Sequence, residues 1–167
     1  MSRYPLPRAA CRAVCAVTAM TAILLSPPGI TAGQSGSSAV QYLRHANSKA
    51  PFSPAVRVGE ILYLSGQIGA GPDGHLPPKF ADQARQAMEN VKATLEQAGS
   101  SLDAVFKCTV MLTDMSHWQE FNRIYVTYFA PERLPARSAI GANGLALGAM
   151  IEIECTAYSP APGSPTR

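Results

Sequence analysis

The sequence predicts an α+β fold: one mixed sheet with two helices packed on one of its faces. Three observations predict it. Short segments alternate apolar and polar residues with a period of two, as half-buried strands do. Two other segments repeat apolar residues every three or four positions, as amphipathic helices do. Along the chain these run hairpin, helix, strand, helix, strand, strand, an order that puts helices on one side of a sheet.

The first hairpin joins Ala55–Val58 to residues 61–68 through Gly59-Glu60, a connection of the length that favours a tight two-residue turn. Residues 69–79 are rich in turn formers, with Asp73-Gly74 and Pro77-Pro78. Phe80, Ala84, Met88, Val91 and Leu95 then keep helical spacing, and Gly99 is placed to end that helix. Residues 105–113 have high β-propensity. Ser116-His117-Trp118-Gln119 fits a capping box for a second helix, whose apolar stripe is Trp118, Phe121, Tyr125 and Tyr128. Two strands follow a proline-bounded loop, near residues 137–142 and 150–158.

The strand faces are unequal. Ile151, Ile153, Cys155 and Ala157 share one face with Cys108, Val110 and Leu112, and the helices can cover it. The other face mixes Glu152, Glu154, Thr156, Lys107, Thr109, Met111, Tyr63 and Gln67. That mixture suits a subunit interface or a site as well as it suits plain solvation.

Composition narrows the function. The 167 residues carry 14 basic and 11 acidic side chains, a formal charge of +3. Arg3, Arg8 and Arg12 supply the whole excess, so residues 33–167 are formally neutral and a phosphate-backbone binder is not expected. Residues 1–32 have the pattern of a secretory signal: a basic start, the uncharged run from Ala13 to Leu25, a Ser-Pro-Pro-Gly break, and Ala32 at the expected cleavage point. The apolar run is short for a membrane span, so the expectation is export to the periplasm or beyond, with no stable membrane anchor; an uncleaved anchor and a mitochondrial presequence are the alternatives. Residues 33–47 read as a linker or arm whose later part, from Val40 to Leu43, offers an edge strand. Residues 48–158 form the domain and 159–167 a proline-rich tail. After cleavage only Cys108 and Cys155 remain. They can pair only if their Cα atoms lie within about 7 Å, and the default expectation is two buried thiols.

Six blocks then occur in order: Phe52-Ser53-Pro54-Ala55-Val56, Leu64-Ser65-Gly66-Gln67-Ile68, Gln83-Ala84-Arg85-Gln86 leading to Glu89-Asn90-Val91-Lys92, Phe121-Asn122-Arg123-Ile124-Tyr125, Pro135-Ala136-Arg137-Ser138 and Ile151-Glu152-Ile153-Glu154. In these blocks the chain resembles the RidA/YjgF family of reactive-intermediate deaminases, over roughly residues 40–158. The resemblance implies a chorismate-mutase-like fold and a homotrimer with sheets inside and ligand sites between subunits. It also implies cofactor-free hydrolysis of small 2-imino acids or their enamines to 2-keto acids and ammonia. A trimeric binding or holdase-like protein is the alternative within the same resemblance, and a ribonuclease, an activity label also attached to the family, is the weakest.

By the same resemblance Arg137 clamps the substrate carboxylate, a role suited to a guanidinium fork that stays charged. Read alone, it is a surface arginine or half of an ion pair. Glu152 corresponds to the glutamate that orients or deprotonates the attacking water, though its alternation with isoleucines also fits a solvated face. Ser65 and Gly66 would line the cleft, and Asn122 would hydrogen-bond across the subunit junction. Phe52 stands where many members have tyrosine, and Ala139 where many have cysteine, leaving only its main-chain groups for chemistry. The segment from Gly141 to Ala146 also departs from the common pattern. His45, His75, His117 and the cysteines show no metal-ligand spacing, so neither metal nor cofactor is expected.

Overall fold

Among the residues described by the computed structural model, 40–44 and 49–159, seven strands and two α-helices follow one another. They are β1 (Gln41–Leu43), β2 (Ala55–Val58), β3 (Ile61–Leu64), β4 (Gln67–Ile68), α1 (Phe80–Gln97), β5 (Val105–Leu112), α2 (Trp118–Tyr125), β6 (Ala136–Gly141) and β7 (Ile151–Tyr158). All belong to one unit, Ser37–Arg167. The expected signal at 1–32, most of the arm and the tail from residue 160 onward lie outside the described residues.

The sheet runs β1-β2-β3-β7-β5-β6, with β4 continuing beside β7. Every pairing is antiparallel except β5 with β6, so the sheet is mixed, as the element order predicts. A parallel neighbour needs a crossover connection, and α2 lies within it. The turn between β2 and β3 is the predicted Gly59-Glu60, with Gly59 at φ 59°.

The core lies between the helices and one sheet face. From α1 come Phe80, Ala84, Met88, Val91 and Leu95, and from α2 Phe121, Ile124 and Tyr125. They cover Leu62, Val110, Leu112, Ile151, Ile153 and Ala157, all fully buried. Each large apolar side chain hidden this way contributes about 1.5–3 kcal/mol. Tyr63 and Ile140 on the opposite face remain half exposed.

Two elements differ from expectation. The single strand predicted over 61–68 is two, because Tyr63 pairs with Thr156 but Gln67 pairs with Ile153. Four steps on one strand meet three on the other, and the surplus is absorbed at Ser65-Gly66 in the manner of a bulge. The second helix does not start on the predicted capping box. Asp114 accepts from Ser116 N–H at 2.8 Å and caps a 3-10 turn over Met115–His117, so Ser116 lies inside that turn. This bonding lowers the Asp114 pKa, chiefly through the backbone N–H of Ser116.

The default expectation for the cysteines is also corrected. Cys108 and Cys155 are direct cross-strand partners on β5 and β7, their Cα atoms 4.1 Å apart, and they form a disulfide. Both are buried, as predicted, but bonded rather than free.

Polar side chains fasten the layers. Gln83, buried in α1, donates to Pro77 O (2.8 Å) and accepts from Met150 N–H (2.9 Å). Asn90 donates to Ile68 O and Ala70 O, both at 2.9 Å, and so holds the end of β4 against α1. Arg57 reaches across the opposite end of the layer, donating to Ala98 O at the C-terminus of α1 (2.8 Å) and to Ser159 O.

Candidate ligand site

The predicted site residues fall into two groups. Phe52, Ser65, Gly66 and Glu152 gather around the break between β3 and β4. Ser65 donates its hydroxyl to Ser53 O (2.7 Å) and its N–H to Pro54 O (2.9 Å), tying the strand break to the segment before β2. Gln67 donates to Ser65 O at 2.9 Å. Gly66 makes room for its neighbour: a Cβ there would stand 1.8 Å from Oε1 of Glu152. Glu152, the register partner of both Ile68 and Met111, therefore lays its carboxylate over the bare backbone of Gly66. A cleft of about 350 Å³ opens here, lined by Phe52, Pro54, Gly66, Gln67, Asn90 and Thr94 among others. A second cleft of about 420 Å³ lies against β1 and the end of α1 and holds none of the predicted residues. The smaller is the better candidate because Phe52 and Gly66 line it.

Arg137, Ala139 and Asn122 form the other group. Register with Cys108 and Val110 puts Arg137 and Ala139 on the helix side of β6, which is an edge strand. Arg137 Nη2 donates to Asn122 Oδ1 at 2.6 Å. Its Cζ stands 4.4 Å from the ring centroid of Trp118, 4.4 Å from that of Tyr125 and 5.7 Å from that of Phe121. Nη1 is buried without a hydrogen-bond partner, as is the hydroxyl of Tyr125. Burial lowers the Arg137 pKa, opposed by the nearby Tyr125. Burial likewise pushes Tyr125 up to about 12, so its hydroxyl stays protonated.

Three features here differ from expectation. The sequence reading took Trp118, Phe121 and Tyr125 as core alone, whereas with Asn122 they also surround a cation. Their i, i+3, i+4, i+7 spacing was the available signal, but it does not say what covers the stripe. Asn122, expected to bond across a subunit junction, accepts at its carbonyl from Arg137 within the chain. His117, expected at the surface, stacks on Phe80 at 4.1 Å and contacts Glu120 at 3.2 Å. Among the described residues no cluster of His, Cys, Asp or Glu is placed to hold a metal.

The two groups do not meet within one chain. Arg137 on β6 and Glu152 on β7 are two ladder spacings apart, about 10 Å across the strands, and three residues or about 10 Å along them, from Cys108 to Met111. Arg137 lies on the helix side, while Glu152 lies on the open side with Met111. A four-carbon acid spans only about 5 Å. Within one chain the predicted residues therefore form two separate groups.

The sequence model of the family described as Endoribonuclease L-PSP matches residues 43–159, well over half of the chain. Relatives agree over the same region. The 2-iminobutanoate/2-iminopropanoate deaminase of Mus musculus is 41% identical over 109 residues, covering 64% of this chain and 80% of its own. The chain belongs to the RidA/YjgF family. Another family member, RutC family protein PH0854 of Pyrococcus horikoshii, is 43% identical over 110 residues, covering 65% of this chain and 86% of its own.

Solved structures of RidA-type proteins share the fold. A conserved Rid-family protein of unknown function from Yersinia pestis superposes with a TM-score of 0.67 at 36% identity, covering 72% of this chain and 99% of its own. E. coli TdcF with bound serine gives a TM-score of 0.62 at 32% identity, covering 71% and 96%. The mixed sheet with two helices is thus the RidA-family architecture, and family relatives include proteins named as imine deaminases.

Proposed function

We propose that the protein hydrolyses small 2-imino acids, or their enamine tautomers, to 2-keto acids and ammonia, in a cleft completed between copies of the chain. A homotrimer with its sheets inside is the assembly we propose. The observation that carries this reading is Arg137. It is a half-buried guanidinium with one hydrogen bond, to a neutral amide, and one orphaned N–H group. Among the described residues the one ion pair is His117–Glu120, so Arg137 has no internal carboxylate. A desolvated cation without an anion is complementary to a ligand carboxylate.

In this reading Arg137 of one copy holds the substrate carboxylate and Glu152 of another faces the imine carbon. Glu152 accepts a proton from water as the water oxygen bonds to that carbon. The C=N π pair moves to nitrogen, which takes up a proton, giving a carbinolamine. Its hydroxyl proton then passes to that nitrogen, the freed oxygen pair forms the C=O bond, and the C–N bond breaks with its pair on nitrogen, so that ammonia leaves. Proximity and one proton transfer carry most of the acceleration. The backbone of Ser65-Gly66 and Ala139 would line the cleft. Ser65 contributes little through its hydroxyl proton, already given to Ser53 O.

One observation favours a second reading. Phe52, 53% exposed at the cleft, brings no hydroxyl to the reacting centre. A protein that binds small carboxylates without turnover would keep Arg137 and tolerate Phe52. RNA cleavage has least support, given the neutral mature chain. The test supplies residues 33–167 with imines made by an amino-acid oxidase and follows keto-acid release beside Arg137→Ala. Acceleration lost in the variant supports deamination, and binding without acceleration supports the second reading.

We also propose that the chain is exported and cleaved after Ala32. The buried Cys108–Cys155 disulfide supports this, because such bonds persist in oxidising compartments.

A further inference from the structure

Arg137 is held by an arrangement that the proposed chemistry does not itself require. Residues 118, 121, 122 and 125 are spaced i, i+3, i+4 and i+7 on α2, so they share one helix face. That face presents Trp118, Phe121, Asn122 and Tyr125 to a single side chain from β6. The rings also pack against one another at tilted angles, Trp118 to Phe121 at 6.2 Å and Phe121 to Tyr125 at 5.5 Å, and Tyr125 continues to Phe129 at 4.8 Å. Phe121 is fully buried and Tyr125 is 3% exposed, so the base of the row is fixed in the core.

An arginine has substantial rotamer entropy to lose when it is immobilised. On an exposed edge strand that cost would fall on ligand binding. Here two rings stand 4.4 Å from Cζ and the Asn122 amide fixes Nη2 at 2.6 Å, so the guanidinium is ordered before any ligand arrives. No carboxylate of this chain takes part, so the fork is positioned without being neutralised.

We propose that Trp118 and Tyr125 are positioning residues: their rings hold the Arg137 guanidinium in its carboxylate-binding pose and thereby set affinity for carboxylate-bearing ligands. This rests on the reading of Arg137 as the carboxylate clamp. Trp118 and Tyr125 touch no reacting atom, and their effect passes through Arg137. It is the rings that act, because phenylalanine keeps a π face while leucine removes it.

The test titrates 2-oxobutanoate, a keto-acid probe with a carboxylate, into wild type, Trp118→Leu, Trp118→Phe, Tyr125→Leu, Tyr125→Phe and Arg137→Ala, with its methyl ester as the neutral control. The leucine variants are expected to weaken 2-oxobutanoate binding three- to tenfold, and the phenylalanine variants to recover most of that loss. Ester binding is expected to be the same throughout. In turnover the leucine variants raise KM and leave kcat nearly unchanged, the pattern of lost uniform binding. Leucine variants that bind as tightly as wild type, while Arg137→Ala does not, overturn the inference. So does equal weakening by leucine and phenylalanine, which is what a merely structural role predicts. If Arg137→Ala itself binds 2-oxobutanoate as wild type does, the reading beneath it is wrong. Should the leucine variants fail to fold, the wild type still decides: ring currents are expected to move the Arg137 Nε–H proton signal upfield, and an unshifted signal contradicts the arrangement.

Discussion

The carboxylate of Glu152 occupies the space that a side chain on Gly66 would need, with Oε1 1.8 Å from the position of a Cβ. This contact joins β7 to the break between β3 and β4 and fixes where the proposed general base sits. Gly66 is not among the residues with positive φ, so alanine there meets no backbone strain. The obstacle is the movable end of a side chain. Gly66→Ala is therefore expected to leave the melting temperature within a few degrees of wild type while lowering kcat for imine hydrolysis about ten- to hundredfold. Full activity in that variant would remove Glu152, in this pose, from the mechanism.

The disulfide is expected to be closed and inaccessible in the native protein. Under denaturing, non-reducing conditions the chain cleaved after Ala32 should show no free thiol, and an uncleaved chain two of its four. Replacing both Cys108 and Cys155 with alanine is expected to cost about 2–4 kcal/mol in urea unfolding. Two titratable thiols in the cleaved chain would contradict the bond and weaken the case for export. Sequencing the N-terminus of protein made in its host tests export itself: Gly33 is expected, and Met1 would overturn it.

Alkaline pH should destabilise the fold through Tyr125. Its pKa rises from 10.0 to about 12 on folding, mainly by burial. The stabilisation is complete below pH 10, where both states are protonated. It is lost as pH rises through the folded value, because the unfolded chain releases its proton first. Unfolding free energy is expected to drop by about 1–2 kcal/mol between pH 10 and 12 from this group, solvent screening included. Tyr125→Phe should flatten that part of the profile. An identical slope in the variant would show that Tyr125 is not the group responsible.

Arg57 makes a prediction about stability alone. It joins Ala98 O to Ser159 O and lies far from the proposed chemistry. Arg57→Met is expected to cost about 2–4 kcal/mol in urea unfolding, from two charge-assisted hydrogen bonds and two abandoned carbonyls. KM should not move. A changed KM with unchanged stability would mean that the residue serves the site instead.

Most of the fold was legible because period and order are local properties. The helix over Phe80–Gln97 and the strand over Ile151–Tyr158 follow from spacing alone. What was missed depends on register or on partners from elsewhere in the chain. The strand break at Ser65-Gly66 appears only when Tyr63 and Gln67 are set against Thr156 and Ile153. The disulfide needs Cys108 opposite Cys155, which no local pattern reveals. Asp114 displaced the predicted cap because both segments carry capping side chains and only geometry chooses between them. The candidate site residues were recognised from motif blocks. Their separation into two groups was not visible, since a motif does not record which sheet face a residue takes.

That separation is the centre of the account, and subunit mixing tests it most directly. Arg137→Ala and Glu152→Gln are each expected to be nearly inactive alone. Unfolded together in equal amounts and refolded, they should recover about one quarter of wild-type imine hydrolysis, because one in four random pairings joins an intact Arg137 of one copy to an intact Glu152 of another. A mixture no more active than its components, although shown to contain mixed oligomers, would contradict a site shared between copies.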